Sequence, residues 1–356
     1  MSVQSALRAR LAGAGGSEPL FLADLTDWHR SSLRRDTIPA PWRGLSLYEL
    51  YRSLGLPVWD VVCPWAEQLL GLEVVDAVDG AVRTRTVDTG SGPLVWRWEL
   101  GDDGVWRQTT YPVVGPADLP AAVVWARSLT YVLDTAGLTE QEASIGTDGL
   151  LAIELPPRPL IQISGSLMGW ERAPRLLGEP AVGLILEALD GHLQELVTTL
   201  AQLSPGIQLS PDDLNQATVA AELFEGYLLA SYIASMQELS EYRKSLLVRT
   251  QGDASALLGL LSQARVTGLA SVVAPAGQES LGDMSQRLGD RICLWGGIPG
   301  ELLSPDVERG TFEAAVRRIA ADANGHRNVL LGISGDIPLD ADLTRLEAIP
   351  GLIRLA

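Results

Sequence analysis

"SLLVRTQGDASALLGLLSQA", residues 245–264, joins a short apolar run ending in polar residues to a helix-like stretch. A strand that ends in polar groups at the start of a helix is where an α/β enzyme usually keeps its chemistry. The pattern recurs along the chain. Short apolar runs bounded by turn residues stand at "LFLAD" (20–24), "PVWDVVC" (57–63), "LIQIS" (160–164) and "GIQLS" (206–210). After "SLLVRT" (245–250) come "LASVVAP" (269–275), "RICLWGG" (291–297) and "NVLLGIS" (328–334). Between the later runs lie amphipathic stretches with apolar residues at i, i+3, i+4 and i+7, such as 180–203, 221–244 and 309–323. Eight strand–helix units predict an α/β chain folded as a (β/α)8 TIM barrel with a buried parallel sheet.

One segment departs from this rhythm. Residues 81–113 alternate β-formers with polar residues, and "TGSG" and "GDDG" sit where hairpin turns belong. This predicts an antiparallel insertion of about three strands in the amino-terminal third, with Trp96, Trp98 and Trp106 expected to cover the barrel. The whole chain, 1–356, is expected to form one barrel domain preceded by a flexible or helical stretch at 1–17.

A chain of 356 residues with 46% hydrophobic residues can fill a sizeable core. Its formal net charge of −17 disfavours nucleic acid and anionic membrane surfaces as partners, because both attract clustered Lys and Arg. No apolar run reaches the roughly 20 residues that span a bilayer. Residues 1–19 lack the continuous apolar core of a signal peptide, so a cytoplasmic location is expected. Cys63 and Cys293 lie in apolar runs and are expected as buried structural thiols. No CxxC, HExxH, GxGxxG or GxxxxGK[ST] occurs, and "GISGD" at 332–336 misses the nucleophile-elbow pattern at its last position.

In a barrel the residues just after each strand line the mouth. The first run ends in "ADLTDWHR": Asp24, Asp27 and His29 are candidates for acid–base catalysis, with Trp28 beside them in the pocket. "SPDDLN" offers Asp212, Asp213 and Asn215 for substrate binding, and "RTQGD" offers Arg249 and Gln251. Trp295, Ser334 and Asp336 follow from the last two strands. Such residues also serve as ordinary loop and helix caps. His192 and His326 lie in a helix and a turn and are expected at the surface, so no three-ligand metal site is expected.

"RLGDRICLWGGIPGELLSPD" (287–306) and "LLGISGDIPLDADLTRLEAI" (330–349) resemble the uroporphyrinogen decarboxylase superfamily, as do residues 24–56 and 109–125. The likeness runs from about residue 18 to the end and points to its broad bacterial branch, which includes corrinoid- and zinc-linked methyltransferases. It implies a (β/α)8 barrel and a possible homodimer. The decarboxylases of that family carry an Arg-rich loop where this chain has "ADLTDWHR". The methyltransferases carry an HxC where this chain has Arg249 and Gln251, and a later Cys that falls near Gly335. A guanidinium and an amide thus stand where zinc ligands are implied, and Arg cannot coordinate zinc.

Arg249 suits bidentate binding of a carboxylate or phosphate; alternatively it pairs with Asp24, Asp212 or Asp213 and closes the pocket. The expected function is therefore a metal-free, cofactor-free enzyme acting by decarboxylation or group transfer on an anionic small molecule. The alternatives are a non-catalytic ligand- or partner-binding barrel and a methyltransferase with a rearranged site. A buried, perturbed acid at the mouth would favour the enzyme, and internal salt bridges the binding barrel.

Overall fold

The computed structural model describes residues 2–13, 15, 16, 18–101, 104–274 and 279–355. In chain order the strands are β1 (Val58–Val62), β2 (Trp65–Leu69), β3 (Glu73–Asp79), β4 (Val82–Asp88), β5 (Pro93–Leu100) and β6 (Trp106–Thr110). They continue with β7 (Leu129–Leu133), β8 (Gly149–Glu154), β9 (Ile207–Leu214) and β10 (Ser245–Thr250). The last are β11 (Gly268–Val272), β12 (Cys293–Pro299) and β13 (Val329–Ser334). The chain divides into two compact units: 1–63, 136–155 and 201–356 form the first, and 64–135 with 156–200 form the second.

The first unit is an α/β fold built on a curled, seven-stranded parallel sheet in the order β1-β8-β9-β10-β11-β12-β13. Its strands are almost wholly buried, as continuous apolar runs flanked by helices should be. Six of the eight expected runs are strands of this sheet. Pro275, the last residue of the expected 269–275 run, lies outside the described residues.

The other two runs behave differently, and the eight-stranded barrel is not formed among the described residues. Residues 20–24 make a single parallel bridge, Phe21 to Leu331, with Leu22 N–H donating to Leu331 O at 2.9 Å. The remaining backbone polarity there is met by a side chain. The Tyr51 hydroxyl accepts from Leu25 N–H at 2.8 Å and donates to Ala23 O at 2.9 Å, so buried polar groups are paired without another strand. Tyr51 is carried on helix Leu47–Ser53, which starts at a reciprocal capping box between Ser46 and Glu49.

Residues 160–164 are not a strand. Pro159 stands in the first turn of helix Pro159–Gln162, where its missing N–H is no loss, and the chain continues as a π-turn over Ile163–Leu167. The strand is instead the earlier run "GLLAIE", β8, inserted between β1 and β9.

The second unit holds the antiparallel elements. The insertion is larger than expected: a four-stranded sheet β3-β4-β5-β6 covers 73–110, and β2 pairs with β7. Asp102 and Asp103 of the expected "GDDG" turn lie outside the described residues. This unit has its own core, in which Val87, Leu94, Trp96, Trp125 and Leu189 pack together. At the amino-terminus, Val3–Leu11 is a helix that buries Leu7, Arg10 and Leu11. Cys293 is buried as expected and its thiol is pushed up to about 12 by burial, whereas Cys63, one residue beyond β1, is exposed. No helix among the described residues is long and apolar enough to cross a membrane.

Candidate functional site

A cavity of about 420 Å³ opens at the carboxyl ends of the parallel strands, and every residue lining it belongs to the first unit. Asp24 lines it from the end of the 20–24 run, and Asp27 and Trp28 from helix Thr26–Arg35. Asp213 enters from β9, Arg249 and Gln251 from the end of β10, Trp295 from β12 and Asp336 from the turn after β13.

Asp24 sits where the chain turns from extended backbone into a helix. One carboxylate oxygen, Oδ1, accepts from Thr26 N–H at 2.9 Å, so it does bind the helix start. Burial nevertheless holds the carboxyl above the usual carboxylate range, outweighing the Thr26 hydrogen bonds, while nearby Asp27 pushes the same way. The Trp59 indole lies close enough to favour the charged form, short of hydrogen-bond geometry.

The cavity floor is aromatic. Trp295 stacks edge-on against Trp59 at 4.6 Å and donates its indole N–H to Leu22 O at 2.8 Å. That indole passes so close to Gly332 that a Cβ there would collide with it. Trp28 is buried and donates Nε1–H to Pro338 O at 2.9 Å, fixing the 336–339 turn to the helix that carries Asp27.

Arg249 is engaged within the site. Its Nε donates to Asp213 Oδ1 at 2.5 Å and its Nη2 to Asp213 Oδ2 at 3.1 Å, a side-on bidentate pair, and its Nη1 lies 3.7 Å from Asp27 Oδ2. Burial works against the guanidinium charge, but Asp213, Asp27 and Glu154 more than offset it and hold the group protonated. Asp213 adopts a left-handed backbone with φ 47°, and the β9–β10 register shifts between Val248 and Thr250. Bulges of this kind re-aim a side chain at a strand end.

Four expected site residues do not line the cavity. His29 is buried with Nε2 facing Leu45 O at 3.2 Å. Asp212 is buried on the other side of β9, accepting from the Ser210 hydroxyl at 2.7 Å and from the Tyr232 hydroxyl. Asn215 accepts from Ala217 N–H at 2.8 Å in a local turn. The Ser334 hydroxyl donates to Val272 O at 2.5 Å and accepts from Gly297 N–H at 2.6 Å, tying three strand ends together. The parity of a strand accounts for Asp212 against Asp213: successive side chains leave opposite faces. His192 and His326 are half-buried rather than fully at the surface, and His326 Nδ1 lies 2.9 Å from the Ser285 hydroxyl.

Glu154 was not among the expected residues. It stands at the carboxyl end of β8, where burial raises its pKa, Arg249 lowers it and Asp27 raises it again. Its signal in the sequence is an acid closing the apolar run "GLLAIE", visible only once that run is read as a strand. Among the described residues no three His, Cys, Asp or Glu side chains converge in a way that could hold a metal ion.

No protein-family model matches the sequence, and no curated protein matches it. Among solved structures, the chain is similar to a methyltransferase from Methanosarcina mazei, with 14% identity and a TM-score of 0.59 over 100% of this chain and 99% of that one. A D-psicose 3-epimerase follows at 9% identity and TM-score 0.38, over 61% of this chain and 81% of that one. A further D-psicose 3-epimerase, from Clostridium cellulolyticum H10, gives 11% identity and TM-score 0.36 over 61% and 78%. The first shares the fold with this chain from end to end.

Proposed function

We propose that the chain is an enzyme that decarboxylates a small anionic molecule, or transfers a small group on it, with Asp24 as the proton donor. The observation that carries this reading is Asp24 itself, a carboxyl kept toward its neutral form by burial while lining an open cavity over an indole floor. Loss of CO₂ leaves an electron pair on carbon, and transfer leaves one on the departing atom; either is quenched by a proton from a positioned acid. The Asp24 carboxylate then regains its proton from water. A raised pKa is what such a donor needs near neutrality.

Charge sets a condition on the substrate. Asp24, Asp27, Asp213 and Asp336 line the cavity together with Arg35 and Arg249. An incoming anion that binds Arg249 has to take its fork from Asp213 or share its looser contact with Asp27; Arg35 is the other cation lining the cavity. The burial that raises the Asp24 pKa favours its uncharged form, which repels such an anion less. The resemblance of residues 287–306 and 330–349 to the uroporphyrinogen decarboxylase superfamily, and the fold shared with the Methanosarcina mazei methyltransferase, are consistent with chemistry of this type.

The test is a panel of small carboxylates, assayed for released CO₂ and for group transfer, with wild type and Asp24→Asn side by side. Asn keeps an acceptor for Thr26 N–H but has no proton to give. A fall of about 10² to 10⁴ in rate at unchanged folding is expected; full activity in the variant overturns the assignment. The second reading, a ligand-binding barrel without catalysis, draws on the Arg249–Asp213–Asp27 pairing, which occupies the guanidinium internally. It expects a saturable ligand and no turnover.

A further inference from the structure

The second unit contains a cavity of its own, about 480 Å³, which shares no residue with the first. Trp96 and Trp98 of β5 and Trp125 of helix Leu119–Ser128 form its aromatic wall, with Glu67 of β2, Arg85 of β4 and Gln162 among its polar groups. Trp96 and Trp125 lie 6.0 Å apart at 49°. The Trp96 N–H is spent on Ser166 O at 3.0 Å, so this indole offers the cavity a ring and no donor.

Glu67 is accessible through the cavity yet enclosed by protein elsewhere, and enclosure pushes its carboxyl pKa up, with Arg85 pulling it down. Its hydrogen-bond partner is Gln162, whose Nε2 donates to Oε1 at 3.3 Å. The cation that acts on it, Arg85, is held by Asp76 in a bidentate pair with both contacts at 2.9 Å. Tyr131, opposite Glu67 across the β2–β7 pair, cannot supply charge: burial and Glu67 push its pKa up. Arg85 lines the cavity too, but its Nε and Nη2 are taken by Asp76, so Glu67 stands beside three indoles with no direct ion pair to that guanidinium. Trp98 already attracts a cation, since the Arg83 guanidinium sits 5.3 Å from its ring centroid.

From this geometry we infer that the second unit binds a small organic cation of the alkylammonium type, its apolar groups against Trp96, Trp98 and Trp125 and its charge balanced by Glu67. Indole faces carry negative quadrupole charge, and a desolvated cation over them gains more than a neutral group of the same shape. A compact inorganic ion would leave the rings unused; an anion would meet Glu67. This site goes beyond the proposed reaction and needs no part of it.

The test compares choline with its neutral isostere 3,3-dimethylbutan-1-ol by titration calorimetry on the full chain. Choline is expected to bind about tenfold more tightly, between the size of an exposed and that of a fully desolvated cation–π interaction. Glu67→Gln should reduce that preference to about threefold or less, because the counter-charge is gone while the accessible position leaves packing intact. Trp98→Leu should weaken choline while sparing the fold, its ring being half-buried. Asp27→Asn, in the other cavity, should change nothing. Equal binding of the two probes, absence of saturable choline binding, or loss of binding in Asp27→Asn instead of Glu67→Gln each overturn the inference.

Discussion

Arg249 and Asp213 meet side-on, with Nε–Oδ1 at 2.5 Å and Nη2–Oδ2 at 3.1 Å, across the bulged end of the β9–β10 pair. The pair is partly open, with side chains 28% and 42% exposed, so solvent screens it. A double-mutant cycle of Arg249→Ala and Asp213→Ala, followed by urea unfolding, should give a coupling on the order of 1 kcal/mol, between exposed and fully buried pairs. Coupling near zero would mean that the fork is available to a ligand at no loss of stability.

Arg249→Lys separates recognition from closure. An ammonium is a point charge and cannot reproduce two parallel hydrogen bonds, so affinity for a carboxylate ligand should fall markedly in Lys and by roughly 1.5 to 3 kcal/mol in Ala. Melting temperature without ligand should fall much less in Lys than in Ala, because Lys still neutralises Asp213 and Asp27. The opposite pattern, with affinity kept and stability lost, would make the arginine purely structural.

Asp24 has a pH signature. Its folded pKa is raised above its unfolded value, so the folded state binds its proton more tightly. The stabilisation is fully present below about pH 4, the unfolded carboxylate value, and is lost as pH rises through the raised folded pKa. Asp24→Asn removes the titration and keeps the Thr26 contact. Its melting temperature relative to wild type should therefore climb from about pH 4 upward and level off above the folded pKa. Glu154, Glu67 and Asp60 are raised by burial too, which is why the difference between variant and wild type, not the wild-type curve, carries the information. A flat difference from pH 4 to 8 would remove the perturbation from Asp24.

These residues show where reading the sequence succeeds and where it stops. The runs at β10, β12 and β13 are bounded by polar or glycine residues, so their ends, and with them Arg249, Trp295 and Asp336, fall where periodicity puts them. The runs at 149–154 and 160–164 are locally equivalent short apolar segments; Pro159 turns the second into helix, and choosing wrongly hides Glu154. The missing strand at 20–24 depends on Tyr51, about 27 residues away, taking up its backbone groups. Strand parity sends Asp213, not Asp212, to the cavity face, whereas the left-handed backbone that Asp213 adopts there is encoded by no periodic pattern.

Trp28 ties the 336–339 turn to the site through one hydrogen bond, Nε1–H to Pro338 O. Trp28→Phe keeps most of the ring and deletes the donor. Pro338 O loses its partner, and a loss of about 1 kcal/mol is expected. Hydrogen exchange should quicken over residues 335–342 while the strands of the parallel sheet keep their protection. Uniform quickening across the sheet would show that Trp28 acts through core packing instead.

Gly332 tests the aromatic floor. It lies in β13 with Leu331 and Ile333, both buried, and its missing side chain is what lets the Trp295 indole reach Leu22 O. A methyl group at 332 would overlap both that indole nitrogen and Leu22 O, and neither can retreat far: Trp295 is pinned against Trp59, and Leu22 is bonded to Leu331. Gly332→Ala should therefore displace Trp295, break its hydrogen bond and lower stability by about 1 to 3 kcal/mol, the usual range for overpacking a filled site. Near-ultraviolet circular dichroism should change with it, since the edge-on Trp59–Trp295 pair would be lost. Gly335→Ala provides the contrast: nothing lies within 4 Å of a Cβ there, and only its φ of 70° opposes substitution. That variant should lose about 1 kcal/mol or more through backbone strain alone and leave the tryptophan signal unchanged. If both variants left the aromatic signal intact, the contact between Trp295 and the 332 backbone would not be what shapes the floor of the cavity.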